Sequence, residues 1–142
     1  MLESIDVSLP MTPVRGQMVM FRQPTALPLP IINEGIRYLV PRPDGHVLAG
    51  ATVEEVGFDE TTDDADIESL IRFATELVPT LNRREVVKTW AGLRPGTWDG
   101  FPYLGPIGDF DNAYVATGHF RTGLQLSTST AVVMADLMEI GR

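Results

Sequence analysis

The chain has 142 residues, and its 11 basic and 19 acidic side chains give a formal net charge of −8. Hydrophobic residues make up 44% of the sequence and cysteine is absent, which favours a folded acidic domain and excludes disulfides, thiolate metal sites and iron–sulfur clusters. The acidic balance argues against nucleic acid as a partner, because phosphate binding requires a basic surface. No apolar run is long enough for a membrane span and no signal-peptide pattern is visible, so we expect a cytoplasmic protein with no membrane partner.

The first part of the chain predicts a strand, a loop and a hairpin. Residues 14–22 are rich in strand-compatible apolar side chains. Three prolines between residues 24 and 30 then predict a loop, because proline lacks an N–H donor and restricts the residue before it. Two further apolar runs, residues 36–41 and 46–52, flank a Pro-Asp-Gly turn and predict a β-hairpin.

An amphipathic helix is predicted after an acidic, threonine-rich stretch. From Ile67 onward, apolar residues recur at the spacing of one helical face, up to Val78. Thr61 or Thr62 is predicted to cap the helix, and Pro79 to end it. The acidic stretch could also suggest a calcium loop, but the positions that would need Gly and Glu hold neither, so the capped helix is preferred.

The last third predicts two strands and a terminal helix. Residues 85–93 predict a strand that leads into Arg94-Pro95-Gly96-Thr97 at the end of the sheet, residues 113–117 another strand, and residues 123–138 a helix. Paired strands with one inserted and one terminal helix indicate an α+β fold with a mostly antiparallel sheet. No linker or internal repeat is visible, so we expect residues 1–142 to form a single domain or part of one.

Three polar residues lie among residues that otherwise look buried. The Arg94 guanidinium could bind a carboxylate in a bidentate manner, or it could form a structural salt bridge. Arg121 lies in a glycine-flanked strand-to-helix turn, which could present N–H groups to an anion or an electron-rich ring, or could be purely structural. Tyr38 could be a core aromatic. The histidines are isolated and no Ser-His-acid pattern is readable, so we predict no metal site and no catalytic side chain.

Six motifs occur together in an order that is similar to one known enzyme family. The motifs are Pro13-Val14-Arg15-Gly16-Gln17, Tyr38-Leu39-Val40-Pro41-Arg42, Gly50-Ala51-Thr52, Trp90-Ala91-Gly92-Leu93-Arg94-Pro95-Gly96-Thr97, Asp99-Gly100-Phe101-Pro102-Tyr103-Leu104-Gly105 and Gly118-His119-Phe120-Arg121-Thr122-Gly123. With these motifs, the chain resembles the C-terminal part of FAD-dependent oxidoreductases of the D-amino-acid oxidase family, and within it most closely the glycine oxidases. The resemblance extends from about Pro13 to Leu137, nearly the whole chain.

The resemblance implies roles for residues in these motifs. It implies that Arg94 pairs with the substrate carboxylate, that Tyr38 adds a hydroxyl near it, and that Arg121 lies at the active site. It implies no side chain as a general acid or base, because the substrate is oriented and the flavin carries the chemistry. The stretch that the resemblance assigns to the flavin ring is His119, Phe120, Arg121, Thr122, Gly123, Leu124 and Gln125.

The reaction that the resemblance implies is oxidation of the Cα–N bond of a small amino-acid substrate. Hydride passes to FAD, the imino acid hydrolyses to a keto acid and ammonia, and oxygen reoxidises the flavin to yield hydrogen peroxide. The Gly-x-Gly-x-x-Gly fingerprint that grips FAD is absent from this sequence, and in the family it lies upstream. We therefore expect FAD in the complete enzyme, with an N-terminal FAD-binding half as the missing partner.

For the chain alone, we expect no stably bound FAD, no oxidase activity, and homodimers that form through exposed apolar surface. The alternative is a stand-alone, non-catalytic binding or interaction domain derived from such an enzyme.

Overall fold

The computed structural model describes residues 7–23, 30–82, 85–108 and 110–140. Within them, five strands form a sheet in the order β2-β3-β4-β1-β5, and β6 pairs with β7. The pairs β1 with β4, β2 with β3, β3 with β4 and β6 with β7 are all antiparallel, which confirms the predicted α+β class. The elements are β1 (Met11–Arg22), β2 (Ile32–Glu34), β3 (Arg37–Pro41), β4 (His46–Gly50), α1 (Asp64–Leu77), β5 (Val86–Thr97), β6 (Tyr103–Pro106), β7 (Tyr114–Thr117) and α2 (Gly123–Ile140).

The chain divides into two compact units. The central unit spans Val14–Leu93, and the terminal unit combines Met1–Pro13 with Arg94–Arg142. Strands β1 and β5 each contribute residues to both units. Neither helix in the described part of the chain is both long and apolar enough to cross a membrane.

The core of the central unit lies between one face of the sheet and helix α1. Side chains alternate along the strands, and α1 turns one apolar face toward them. The sequence places Leu77 on this face, but Leu77 is 37% exposed, whereas Phe73 is buried with the Arg37 guanidinium 5.0 Å from its ring centroid. The buried cluster consists of Val19, Phe21, Leu39, Val47, Ala49, Leu70, Ile71, Phe73, Ala74, Val78 and Leu81.

The predicted β-hairpin is confirmed as β3 and β4. Gly45 in the turn has a φ of +81°, a conformation that glycine adopts without strain. Its N–H donates to the Arg42 carbonyl oxygen at 3.2 Å, and the Asp44 carboxylate accepts the His46 N–H at 3.2 Å. Most of the proline-rich loop predicted before the hairpin, residues 24–29, lies outside the described residues.

Helix α1 is capped by Asp63. This residue has an extended backbone, and its carboxylate accepts two first-turn N–H groups at 2.9 and 3.2 Å. The predicted cap at Thr61 or Thr62 is therefore wrong. The Thr61 hydroxyl donates instead to the Asp59 carboxylate at 2.7 Å, and the Asp63 carboxylate, directly before the helix, is the cap. The helix ends before Pro79, as predicted.

Strand β5 continues through residues 94–97, beyond the predicted end of the strand at Leu93. The predicted end is wrong because β5 is an edge strand of its sheet, and an edge strand accommodates a proline whose missing N–H has no neighbouring strand to pair with. The turn follows at residues 98–100. Gly100 there has a φ of +77°, and the Asp99 carboxylate accepts the Phe101 N–H at 3.1 Å.

The terminal unit contains β6, β7 and α2. The predicted strand near residues 113–117 and the terminal helix are both confirmed, and α2 ends two residues later than predicted. Among the described side chains of α2, Met134 is buried, while much of the apolar surface of the helix is exposed. The exposed apolar residues are Leu124 (91%), Val132 (62%), Val133 (43%), Met138 (41%) and Leu126 (38%).

Candidate active site

Arg94 contacts the turn that follows β7. Its side chain is half-buried, and its guanidinium carbon lies 6.0 Å from the centroid of the Phe120 ring. The Phe120 N–H donates to the Pro95 carbonyl oxygen at 3.2 Å, so backbone and ring both attach this turn to β5. A cation over an aromatic face contributes about 0.5–1 kcal/mol at an exposed site. The structure thus brings together two residues that come from separate sequence motifs.

The turn from Gly118 to Gly123 has a specific backbone shape. Gly118 is buried with a φ of +84°, and Phe120 has a φ of +50°, which is uncommon for a residue other than glycine. The N–H and the hydroxyl of Thr122 both donate to the His119 carbonyl oxygen at 2.9 Å. The His119 ring nitrogen Nε2 lies 2.9 Å from the Thr130 hydroxyl, which ties the turn to α2.

Helix α2 begins directly after this turn, and its N-terminus suits an electron-rich group. The first N–H groups of a helix have no partner within it and carry the positive end of its dipole. The first turn of α2 contains no acidic residue, and Leu124 within it is 91% exposed. N–H donors and apolar surface therefore lie together in a first helical turn that contains no carboxylate. The pyrimidine end of a flavin ring, which combines carbonyl oxygens with a flat apolar surface, fits this environment.

The other two predicted substrate contacts lie in different surroundings. Arg121 is exposed on the turn before α2. Tyr38 lies on β3 in the central unit, where it is half-buried and its hydroxyl donates to the Met18 sulfur at 3.5 Å. The contacts described here join Arg94 to Phe120 and Tyr38 to Met18. The roles of Arg94, Arg121 and Tyr38 toward substrate stay predictions.

A buried polar network, which the sequence analysis did not single out, ties β1 to the residues around the start of α1. Arg15 donates from Nε to the Glu54 carboxylate at 3.0 Å and from Nη1 to the Asp59 carboxylate at 2.8 Å. The Gln17 amide nitrogen donates to the carboxylates of Glu54 and Asp66, each at 2.9 Å. Both Arg15 and Gln17 are buried polar residues in a strand whose other buried side chains are apolar, and that mismatch is the signal that could have revealed the network.

Two carboxylates of the network, Glu54 and Asp59, have pKa values below their usual range. Burial raises the pKa of Glu54. Hydrogen bonds from Thr52 and from other neighbours, including Arg15, together lower it by more than burial raises it, so the pKa lies below its usual value. Hydrogen bonds from the hydroxyl and the N–H of Thr61 lower the pKa of Asp59, and Arg15 adds to this. Among the residues that the structure describes, no group of three or more His, Asp or Glu side chains could hold a metal ion.

We expect the free energy of unfolding to decline in acid because of these two carboxylates. A carboxyl group whose pKa is lowered by folding stabilises the protein fully above its unfolded pKa, and this contribution is lost as pH falls through the folded pKa. Glu54→Gln should therefore make the decline between about pH 5 and pH 2 shallower. Urea unfolding at a series of pH values measures this, with Glu55→Gln at the exposed neighbouring position as the matched control. Identical pH slopes for Glu54→Gln and the unsubstituted chain would contradict the prediction.

Comparison with known proteins identifies close relatives. The model of the FAD dependent oxidoreductase family (DAO) matches residues 1–137. Glycine oxidase from Pseudomonas aeruginosa is 44% identical over 139 residues, and that from Pseudomonas putida is 40% identical; each match covers 97% of this chain and 38% of the relative. The crystal structure of glycine oxidase from Geobacillus kaustophilus aligns with a TM-score of 0.84 at 35% identity, over 97% of this chain and 38% of that one.

The match extends over nearly the whole of this chain, although the chain spans only 38% of the length of these relatives. The structural agreement covers the same proportion, so sequence and fold point to the same assignment. The chain belongs to the family of FAD dependent oxidoreductases.

Proposed function

We propose that this chain forms the substrate-side portion of an FAD-dependent oxidase that acts on a small amino acid such as glycine. The observation that carries the proposal is the half-buried Arg94 guanidinium held against Phe120, in the turn that leads into α2. The relatives that are glycine oxidases support the substrate class. The family description supports FAD as the cofactor.

In this proposal, Arg94 binds the substrate carboxylate and orients the amino acid. A guanidinium offers a planar fork of donors that matches both carboxylate oxygens, and such charge-assisted pairs are about twice as strong as neutral hydrogen bonds. The Phe120 ring restricts the guanidinium, so less of its freedom is lost when substrate binds. When bound, FAD supplies the hydride acceptor. The contribution of the chain's own residues is to place the Cα–N bond and keep it in place.

The residues from His119 to Gln125 are proposed to hold the flavin ring. The N–H groups at the start of α2 would stabilise negative charge on the pyrimidine end of the ring, because no acidic residue in the first helical turn opposes it. Arg121 and the Tyr38 hydroxyl are proposed as further substrate contacts. The Tyr38 proposal is supported by its half-buried position with a hydroxyl on a weak acceptor.

The grip on the FAD pyrophosphate is proposed to come from residues outside this sequence. The sequence contains no Gly-x-Gly-x-x-Gly, the motif that brings a backbone close to a pyrophosphate. The relatives are more than twice as long as the matched region, which leaves room for such a part. The chain alone is accordingly proposed to hold no stable FAD and to show no oxidase activity.

Arg94→Ala in the complete oxidase that contains this region should weaken substrate binding by about 1.5–3 kcal/mol, the range for a hydrogen bond to a charged group. This corresponds to a KM for glycine raised roughly 10- to 150-fold. Peroxide release at varied glycine concentration measures it, with Arg42→Ala in the exposed hairpin turn as the control. An unchanged KM and kcat would remove Arg94 from the site, and a complete protein without flavin absorbance or peroxide release would overturn the proposed function.

The exposed apolar side chains of α2 are proposed to be covered by the rest of the oxidase. In the chain alone, the same side chains should drive self-association, because burying apolar surface contributes about 25 cal/mol per Å². Light scattering over a range of concentrations should show dimers, and Val132→Lys should shift the population toward monomer. A monomer at every concentration would contradict this expectation.

A further inference from the structure

Three residues, one each on β1, β4 and β3, lie side by side across the five-stranded sheet, on the face opposite α1. Met18 on β1 and Tyr38 on β3 are both direct cross-strand partners of Gly50 on β4. Their neighbours along the strands, Val19 and Leu39, belong to the core against α1. Because successive side chains of a strand point to opposite faces, Met18 and Tyr38 point away from that core.

Gly50 provides the space in which Met18 lies. A Cβ added to Gly50 would overlap the Met18 sulfur and lie 3.1 Å from the Tyr38 ring carbon Cζ, so a larger residue here would displace the Met18 thioether from its place. The Tyr38 hydroxyl donates to the same sulfur at 3.5 Å. The thioether therefore lies over Gly50 and against the phenol oxygen at once.

In this contact, the phenol hydroxyl, a good hydrogen-bond donor, is paired with the thioether sulfur, a weak hydrogen-bond acceptor. A thioether sulfur accepts hydrogen bonds only weakly, whereas an ionised carboxylate is a strong acceptor. A hydroxyl that rests on sulfur is partnered and oriented, and it can exchange this partner for a carboxylate oxygen at little cost. An amide or carboxylate side chain at the same position would instead compete for the hydroxyl.

We propose that Met18 is a positioning residue. Its sulfur accepts the hydrogen bond of the Tyr38 hydroxyl while no substrate is bound, and the carboxylate of an amino-acid substrate replaces the sulfur as the acceptor when it binds. Gly50 is the residue that makes this arrangement possible. The carboxylate step rests on the proposed function, because it uses Tyr38 as a substrate contact. The resting hydrogen bond rests on the sheet register and the contact distances alone.

NMR of the 142-residue chain labelled with ¹³C at the tyrosine ring carbons tests the resting contact. The Tyr38 Cζ resonance is identified by its loss in Tyr38→Phe. Met18→Leu removes the acceptor and Met18→Gln replaces it with a stronger one, so the Tyr38 resonance should shift in opposite directions in the two variants. Met20→Leu is the matched control, because Met20 lies on the same face one row along and pairs with Leu48. It should leave the Tyr38 resonance in place.

An unchanged Tyr38 resonance in Met18→Leu would overturn the proposal. Leucine conserves the volume of methionine, so the fold should tolerate this change. The reciprocal measurement keeps the test decisive even if that variant does not fold: the Met18 methyl resonance must shift in Tyr38→Phe, and its failure to do so would also overturn the contact.

Kinetics of the complete oxidase test the exchange of acceptors. Met18→Gln should raise KM for glycine severalfold with little change in kcat, and Met18→Leu should raise KM less. An unchanged KM in Met18→Gln would overturn the acceptor role. A complete protein without any activity would instead overturn the proposed function, and the NMR result would still decide the contact.

Discussion

Gly118→Ala should destabilise the chain by about 2–5 kcal/mol, the sum of about 1–2 for a left-handed backbone and about 1–3 for overpacking. Gly118 has a φ of +84°, and an added Cβ would lie 2.6 Å from the Thr97 Cγ2 atom. It would also lie 3.3 Å from the Pro102 Cα and 3.4 Å from the Tyr103 backbone nitrogen, which a side-chain rotation cannot relieve. Urea unfolding monitored by circular dichroism measures the loss.

Two other glycines separate the causes of this loss. Gly100 has a φ of +77° but no atom within 4 Å of an added Cβ, so Gly100→Ala should cost only the backbone contribution. Gly92 has neither feature, and Gly92→Ala should be close to neutral. Equal losses at Gly118 and Gly100 would show that packing against β5 and β6 contributes nothing.

The same substitution should affect cofactor retention in the complete oxidase. Gly118 starts the turn that holds Phe120 against Arg94, and this turn leads into the N-terminus of α2. Displacement of the turn should therefore lower the flavin content of the purified enzyme, measured by absorbance. Gly100→Ala, which lies in the exposed turn before β6, should retain normal flavin content.

The parts of the fold that the sequence predicted correctly are those with strong local signals. The β3–β4 hairpin depends on a Pro-Asp-Gly turn, and α1 on a repeating apolar face with acidic residues in its first turn. The terminal helix also follows from its own apolar and small residues. In each case, the interactions that decide the structure lie within a few residues of each other.

The errors have tertiary causes. The strand was predicted to end at Leu93, before Pro95, but the position of Pro95 on an edge strand allows β5 to continue through it. Thr61 is a good cap in isolation, but its hydroxyl is bound to Asp59, and Asp63 takes its place. Strand β2 is only three residues long and is defined by its pairing with β3, so no local sequence pattern predicts it.

The candidate site was predicted in part. Arg94 and Phe120 belong to motifs that carry the family resemblance, but their contact depends on how the turn after β7 returns to β5. The Tyr38–Met18 contact likewise depends on strand register rather than on any motif. The network around Arg15 and Gln17 was missed because polar residues in an apolar strand indicate a buried partner without identifying it.

Gln17→Leu should destabilise the chain by about 2–4 kcal/mol, because it leaves several polar groups without their partner. Gln17 is fully buried, and its amide nitrogen donates to both Glu54 and Asp66 at 2.9 Å. Its amide oxygen accepts the Asp63 N–H at 2.7 Å, so one side chain joins β1 to the capping residue of α1. Leucine has a similar volume but offers neither donor nor acceptor. The change in free energy is again measured by urea unfolding.

Gln17→Glu distinguishes the loss of donors from the loss of packing. It keeps the shape and an acceptor for the Asp63 N–H, but places a third carboxylate beside Glu54 and Asp66. Repulsion should raise the pKa of the introduced carboxyl in the folded chain, so the variant should be less stable than Gln17→Leu at neutral pH. A protonated carboxyl can donate as the amide does, so this deficit should shrink as pH falls through that raised pKa. If both variants match the unsubstituted chain at neutral pH, the amide of Gln17 does not hold α1 to the sheet.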